Sequence, residues 1–514
     1  MNNLLPVCSA VFSDKAEITK VYDAFLPEYC TGIQKIIKTK ADAYAKSASL
    51  SDGLITVTIK TNIYMTYISD NKGYIKTVSF PYEFEHTFDA SRISLTDSSP
   101  VLEAKANCIS AVAKPKGARS AEIKLILSIG AGIYECYEAE LFSSESSADV
   151  ELKMCTTPVT SRLMLAEKKE PVQEDIVLDA SMPEIAEITD YSCNLLTSNI
   201  KIQDGSLKYD GKMIFKCTYR AEGEQADEIA QYIQLSKEIP FEGEITNELI
   251  NSECFASGEL IQTEYDVSSS FDPYGESRII NVSAGYEAVF DVFQEKEVVY
   301  ADDGYCYAYR CEFMKNAYNY EELCGKINTS KQIMEKVSLN GTALSDIKDT
   351  DMSLVISGTE YSDNMLYAYG KAGVTVTGLD DKGEACCVQS TVNVKIPVSE
   401  MSANADKKHL LYAQVEDCSA TLSGGEVALS ANIRIGGTTL CKKNINAISN
   451  AEIMYDFPKP ICRNEYIIYY PEKNEKLWDI AKKYEISLNV LKDTNDIKSE
   501  TVSDKKTIIV PCRI

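Results

Sequence analysis

The chain has 514 residues, enough for three or four domains that each bury a core. It carries 52 basic and 77 acidic side chains, a net charge of −25, which argues against nucleic acid as its main ligand. Hydrophobic residues at 45% and charged residues at 25% are the balance of an ordinary globular chain, and no apolar run approaches the ~18–20 residues of a membrane-spanning helix. Only two histidines occur, His86 and His409, which leaves little room for histidine catalysis or mixed Cys/His metal sites.

The first residues, MNNLLPVCSAVF, place no Lys or Arg before a short apolar run, so no secretory leader is expected. Val7 before Cys8 does not fit a lipoprotein signal. Seventeen cysteines are scattered along the chain, and they are expected to be mostly reduced, buried fillers in a cytosolic protein.

An apolar-Pro-apolar step then recurs at the end of alternating runs: Phe80-Pro81-Tyr82, Ile239-Pro240-Phe241 and Ile396-Pro397-Val398. The prolines are 159 and 157 residues apart. The runs before them alternate at period two and read as half-buried strands. Proline, lacking the N–H of a ladder, should sit where a strand reaches an edge or leaves its sheet. Leu54 and Gly211 open matching strands upstream, as Gly370 does in the third copy. Pro27-Glu28 and Pro183-Glu184 match, as do Arg119 and Arg278. In the third copy no Pro-Glu counterpart is evident, and residues 312–337 read as more helical.

The expected fold is mainly β. Three sandwich- or barrel-like repeats joined in a row occupy 1–150, 151–305 and 306–460, with joints near 141–150, 301–309 and 456–465. A β-α-α-β unit follows at 461–514. That tail carries +1 where residues 1–460 carry −26. Its first helix places Leu477, Ile480, Ala481 and Tyr484 on one face, with Asn474 as candidate cap; Ser487 is placed to cap the second.

The tail resembles a LysM domain through Tyr466, Leu477, Trp478, Ile480, Ala481, Tyr484, Leu491, Asn495, Ile509 and Pro511. Where that family usually has Gly-Asp-Thr, this chain has Asn474-Glu475-Lys476, a loss of glycine that speaks against glycan binding. The repeats are similar to SPOCS domains through Pro183–Ile188, Ile202–Gly205 and Glu238–Phe241, with counterparts at Leu26–Glu28, Ser51–Gly53 and Phe80–Tyr82. The whole resembles spore-coat morphogenetic proteins that join tandem SPOCS domains to a C-terminal LysM. The resemblance implies a mother-cell cytosolic protein at the outer forespore surface. Its LysM would dock onto the coat-basement ATPase, stage IV sporulation protein A, among other coat proteins.

No phosphate-binding loop, HExxH helix or nucleophile elbow occurs, and neither Cys386-Cys387 nor Cys306/Cys311 has zinc spacing, so no cofactor or metal is expected. Asp302-Asp303 and Asp380-Asp381 read as solvated turns. A structural adaptor is the leading reading, ahead of a glycan-binding envelope protein and an enzyme with a new β-repeat site. The partner-binding residues expected are Tyr470, Lys473, Lys476, Trp478 and Lys482, an exposed aromatic-plus-basic set on and beside the first tail helix.

Overall fold

The computed structural model describes residues 4–511 except 72, 96–99, 143–149, 223–230, 340, 341, 343, 401–406, 424, 460–464, 473 and 503–506. The joint near 141–150 lies mostly outside the described residues, as does half of 456–465.

One six-strand plan occurs three times. First come β1 (Leu4–Phe25), β2 (Ile33–Ser51), β3 (Leu54–Ser69), β4 (Ile75–Asp89), β5 (Val101–Gly117) and β6 (Ser120–Glu140). They form two three-stranded antiparallel sheets, β1-β6-β5 and the meander β2-β3-β4. The second set is β7 (Val150–Val177), β8 (Ile185–Gln203), β9 (Ser206–Ala221), β10 (Tyr232–Thr246), β11 (Cys254–Phe271) and β12 (Ser277–Cys306). The third is β13 (Tyr309–Ser338), β14 (Leu344–Ser362), β15 (Met365–Asp380), β16 (Ala385–Glu400), β17 (Lys407–Ser423) and β18 (Glu426–Pro458). Each pairs its strands in the same order as the first. Within a repeat the two sheets pack on apolar side chains; in the first, Ile63 and Met65 of β3 meet Ile123 and Leu125 of β6 in one cluster, and Ile55 and Ile59 of β3 meet Ile129 and Ile133 of β6 in a second.

Local chemistry repeats with the plan. The β2–β3 hairpin turns on Asp52 and Gly53, both at positive φ; Asp204-Gly205 and Asp363-Asn364 do the same in the other copies. A two-residue turn of this hand needs left-handed backbone, which Gly, Asn and Asp supply most readily. The matched arginines act alike. Arg119 donates to the carbonyls of Pro27 and Cys30 (both 2.6 Å), and Arg278 to that of Met182 (2.6 Å), so each pins the turn that follows its repeat's first strand. The repeated prolines lie on β4, β10 and β16, the outer strands of their sheets. The ladders run on past them, opposite Asn62, Lys212 and Tyr367, so these strands do not leave the sheet.

Residues 312–337 are not helical. They belong to β13, which pairs with β18 from Arg310 opposite Met454 to Ser338 opposite Glu426. Cross-strand pairing along the whole segment overrides its helical local preference. The described cysteines are mostly free, as expected, but only some of them are buried, and two pairs are oxidised: Cys8 with Cys136 and Cys324 with Cys441.

The repeats are not in a row either; they close on one another. Bulges explain how. β2, β8 and β14 each carry three, at residues 34, 37 and 46, then 186, 189 and 198, then 345, 348 and 357; β5, β11 and β17 each carry one beside their middle, at Ile109, Thr263 and Glu416. A bulged residue is left out of the ladder, so its carbonyl is available. Side chains of the adjoining repeat take these carbonyls. Asn62 donates to Thr263 (2.6 Å) and Thr77 to Thr189 (2.8 Å); Arg434 donates to Ser198 (2.7 Å) and Ser353 to Ile109 (3.0 Å). All three junctions are thereby bonded, first to second, second to third and third to first. Tyr64 stacks on Tyr265 with centroids 4.1 Å apart at the first of them. A separate apolar cluster of Leu5, Val159, Val298, Tyr320 and Ile445 draws on all three repeats.

Candidate docking surface of the C-terminal unit

The tail consists of β19 (Tyr466–Tyr469), α1 (Leu477–Tyr484), α2 (Leu488–Asn495) and β20 (Ile508–Pro511), with β19 and β20 antiparallel. Leu477, Ile480 and Ala481 are buried from one face of α1 and meet Leu491, Ile508 and Val510. Asn495 clips α2 to β20: its amide donates to the Ile509 carbonyl (2.6 Å) and accepts from the Ile509 N–H (2.8 Å).

The expected side-chain caps are not made. Lys476, not Asn474, holds the N-cap position of α1, and Ser487 holds that of α2, but neither side chain caps. The first turn is instead tied to the segment before β20. Leu477 N–H donates to the Glu500 carbonyl (2.9 Å) and Val502 N–H to that of Glu475 (3.0 Å). Asn474 has φ +64°, a left-handed backbone that glycine adopts most freely and asparagine tolerates. The Glu475 carboxylate accepts from the Tyr469 hydroxyl (2.8 Å) and the Glu472 N–H (2.9 Å), which braces this loop.

The five expected partner-binding residues fall in different environments. Tyr470 is 71% exposed and Lys476 is exposed, whereas Lys473 lies outside the described residues. Trp478, expected on the surface, is only 7% exposed. It is covered by the end of β12: its ring meets Tyr305 edge to face at 5.1 Å and its Nε1 donates to Asp303 (3.1 Å). Lys482 donates to both oxygens of the same carboxylate, at 2.8 and 2.6 Å. Burial opposes ionisation of Asp303, but donation from Lys482 and Trp478 outweighs it and holds the carboxyl below its usual range. The Tyr305 hydroxyl donates to the Ile486 carbonyl (2.6 Å), and Lys459 bridges the Cys306 carbonyl (2.7 Å) and Glu485 (2.6 Å).

Asp303 is therefore not a solvated turn residue. It lies in β12 beside the bulge at Asp302, and the ladder with β7 continues to Cys306, which carries the second repeat one residue past the expected boundary. Sequence reading missed Asp303, Tyr305 and Lys459 as partners of the tail; the Tyr-Cys-Tyr of residues 305–307 was the available signal.

With Trp478 and Lys482 engaged, the tail's exposed apolar face is on its small sheet. Tyr466, Ile468 (65% exposed) and Tyr470 follow one another at spacing two, and Ile509 stands directly across from Ile468. Alternation puts these side chains on one face.

The histidines are held by neighbours. His409 lies between the Tyr361 hydroxyl (2.6 Å) and Thr439 Oγ1 (2.9 Å), and His86 is edge-on to Phe88. Burial pushes both imidazoles below their usual range. Among the described residues no three His, Cys, Asp or Glu side chains are placed to hold a metal ion, and no helix is long and apolar enough to cross a membrane. No protein-family model matches the chain, and no curated protein is significantly similar to it.

Proposed function

We propose that this protein is a non-enzymatic structural adaptor of the bacterial endospore coat, acting on the mother-cell side of the outer forespore surface. In this reading the three SPOCS-like repeats are the scaffold, and the LysM-like tail docks the coat-basement ATPase, stage IV sporulation protein A. The observation that carries it is the exposed Tyr466, Ile468, Tyr470 and Ile509 face, an aromatic and aliphatic patch on a near-neutral unit attached to an acidic body. The docking set shifts accordingly: Tyr470 and Lys476 stay in it, and Trp478 and Lys482 serve mainly to seat the tail on β12. Capture of the purified ATPase by the full chain tests this. Ile468→Asp together with Tyr470→Ala should abolish capture and leave the circular dichroism unchanged; undiminished capture would overturn the assignment.

A second reading, a glycan-binding envelope protein, is favoured by Asn474, whose left-handed backbone is one that glycine adopts most freely. Trp478 is the single tryptophan, so titration with chitooligosaccharide while following its emission separates the two readings. A saturable change at micromolar sugar would favour the glycan reading.

A further inference from the structure

A cavity of about 270 Å³ lies where the three repeats meet, and Lys40 and Asp42 of β2 and Asp351 of β14 stand together in its wall. We propose that Lys40 and Asp351 condense into an amide cross-link between the first and third repeats, with Asp42 as the proton carrier. The charged pair of the structure is the precursor of that bond. Lys40 and Asp42 lie on one face of β2, opposite Tyr64 and Asn62 in an unbroken stretch of ladder. The Lys40 ammonium touches the Asp351 carboxylate, and the two side chains are only 16% and 23% accessible. Hydrogen bonds between repeats fix both strands beside the pair: the Gln389 amide donates to the Thr39 carbonyl (2.8 Å), and the Ser353 hydroxyl to that of Ile109 (3.0 Å). Reacting groups held in this way reach effective concentrations of about 10⁵ M or more, which offsets the unfavourable balance of amide formation in water.

Burial is the largest influence on each partner and favours its neutral form. The charges around them more than offset it: Asp351, Asp349 and Asp190 hold Lys40 above its ordinary range, and Lys40, Lys38 and Lys216 hold Asp351 below. Those charges resist loss of the Lys40 proton to water. They resist far less its passage across the contact to Asp351, which removes two buried charges at once and leaves an amine beside a carboxylic acid. Nζ then attacks Cγ of Asp351 while Asp42 protonates the oxygen that gains charge, and Asp42 recovers a proton from Nζ. Asp42 next protonates one hydroxyl of the adduct and takes the proton of the other; the Cγ–O bond breaks and water leaves into the cavity. One N–C bond is formed, one water is released, and no oxidant or other co-reactant is consumed.

Asp42 is suited to carry the proton. It accepts from the Gln262 amide of the second repeat (2.8 Å), and burial pushes its carboxyl up to about 6, against that bond and the Lys40 charge. Around it stand Lys40 and Tyr64 of its own sheet, Cys108 of β5, Cys193 of β8, Tyr265 of β11 and Asp351 of β14. Burial keeps those phenols and thiols protonated, so Lys40 and Asp351 are the charges that act on Asp42. It therefore serves this pair rather than Lys38 and Asp190 (2.5 Å), which meet two residues back on the same face of β2.

The test is mass spectrometry of the full chain, incubated for a week at the pH of about 6 where Asp42 is half protonated, then reduced and denatured. The expected result is loss of one water, with a branched peptide that joins Lys40 to Asp351 on digestion. Lys40→Arg keeps the positive charge but lacks the amine, and should hold its full mass. Asp42→Asn should react about a hundredfold more slowly, the loss expected of a proton carrier. A native chain that keeps its full mass, loss of water without that branched peptide, the same loss in Lys40→Arg, or an Asp42→Asn rate equal to the native one would overturn the proposal. Should either variant fail to fold, the presence or absence of the branched peptide in the native chain decides it.

Discussion

The junctions among the repeats and the junction between repeats and tail are built differently. Between repeats, side chains bond bulged carbonyls, backbones come close, and charges are buried. Arg162 of β7 shows this: its side chain is 2% accessible, pairs with Asp291 of its own repeat (2.8 Å) and lies 3.8 Å from Glu103 of the first. The tail is held mainly by one helix face on one strand end, through Trp478, Tyr305 and the half-exposed Asp303–Lys482 pair. An exposed ion pair contributes less than about 1 kcal/mol, whereas removing one member of a buried pair costs about 3–5 kcal/mol. The repeats are thus one interdependent body, and the tail is the part free to exchange its contacts.

The strongest way to break that body is at Gly373 of β15, where an added Cβ would lie 1.8 Å from the Ile109 carbonyl oxygen of the first repeat. Backbone against backbone has no room to yield. Gly373→Leu should destabilise the repeats by more than the ~1–3 kcal/mol of ordinary overpacking, seen as a lower urea midpoint. A midpoint unchanged from wild type would mean the third-to-first junction is not tight.

Arg162→Met should cost about 3–5 kcal/mol in the same measurement, because Asp291 loses its partner while still buried. A loss below about 1 kcal/mol would show that water reaches this carboxylate.

Asp303→Ala addresses the other junction. It should shift Trp478 emission to longer wavelength as the indole loses its acceptor and cover, while the midpoint of the repeats moves by less than about 1 kcal/mol. If the repeats melt with the tail, the tail is part of the same cooperative body. A chain ending at Lys459 should likewise unfold cooperatively, since the cores of the repeats are built without the tail.

Acid should affect the two regions in opposite senses, the smallest of the expected effects. Asp303 has a depressed carboxyl, so its stabilisation is complete above the unfolded value near 4 and is lost as pH falls through the folded one. Asp42 has a carboxyl raised to about 6, so the folded state binds the proton more tightly than the unfolded. Its contribution favours folding at low pH and declines as pH rises from about 4 through 6. Melting temperatures of wild type and Asp42→Asn, compared between pH 4 and 7, should converge at the acid end and diverge with the variant higher at neutral pH. Trp478 emission should shift only below about pH 4.

Much of the repeat was legible along the chain because its signals are local. The left-handed turn at Asp52-Gly53, the period-two runs and the matched arginines depend on neighbours a few residues away, and such chemistry is written in short windows. The third copy was harder. Ser362-Asp363-Asn364 is its turn, but no glycine marks it, and residues 312–337 are a strand because β18 pairs with them from 90 to 140 positions away.

The sequence by itself determined the strand-rich repeat and the two-helix tail, since alternation and the apolar face of α1 follow from where successive side chains point. Tertiary structure alone decided that the repeats close on one another, that a cavity is left where they meet, and that Trp478 faces inward. Each of these depends on a partner far along the chain: Ile109 for Ser353, Gln262 for Asp42, Asp303 for Trp478. Periodicity tells which way a side chain points, but only the packed fold tells what stands opposite it.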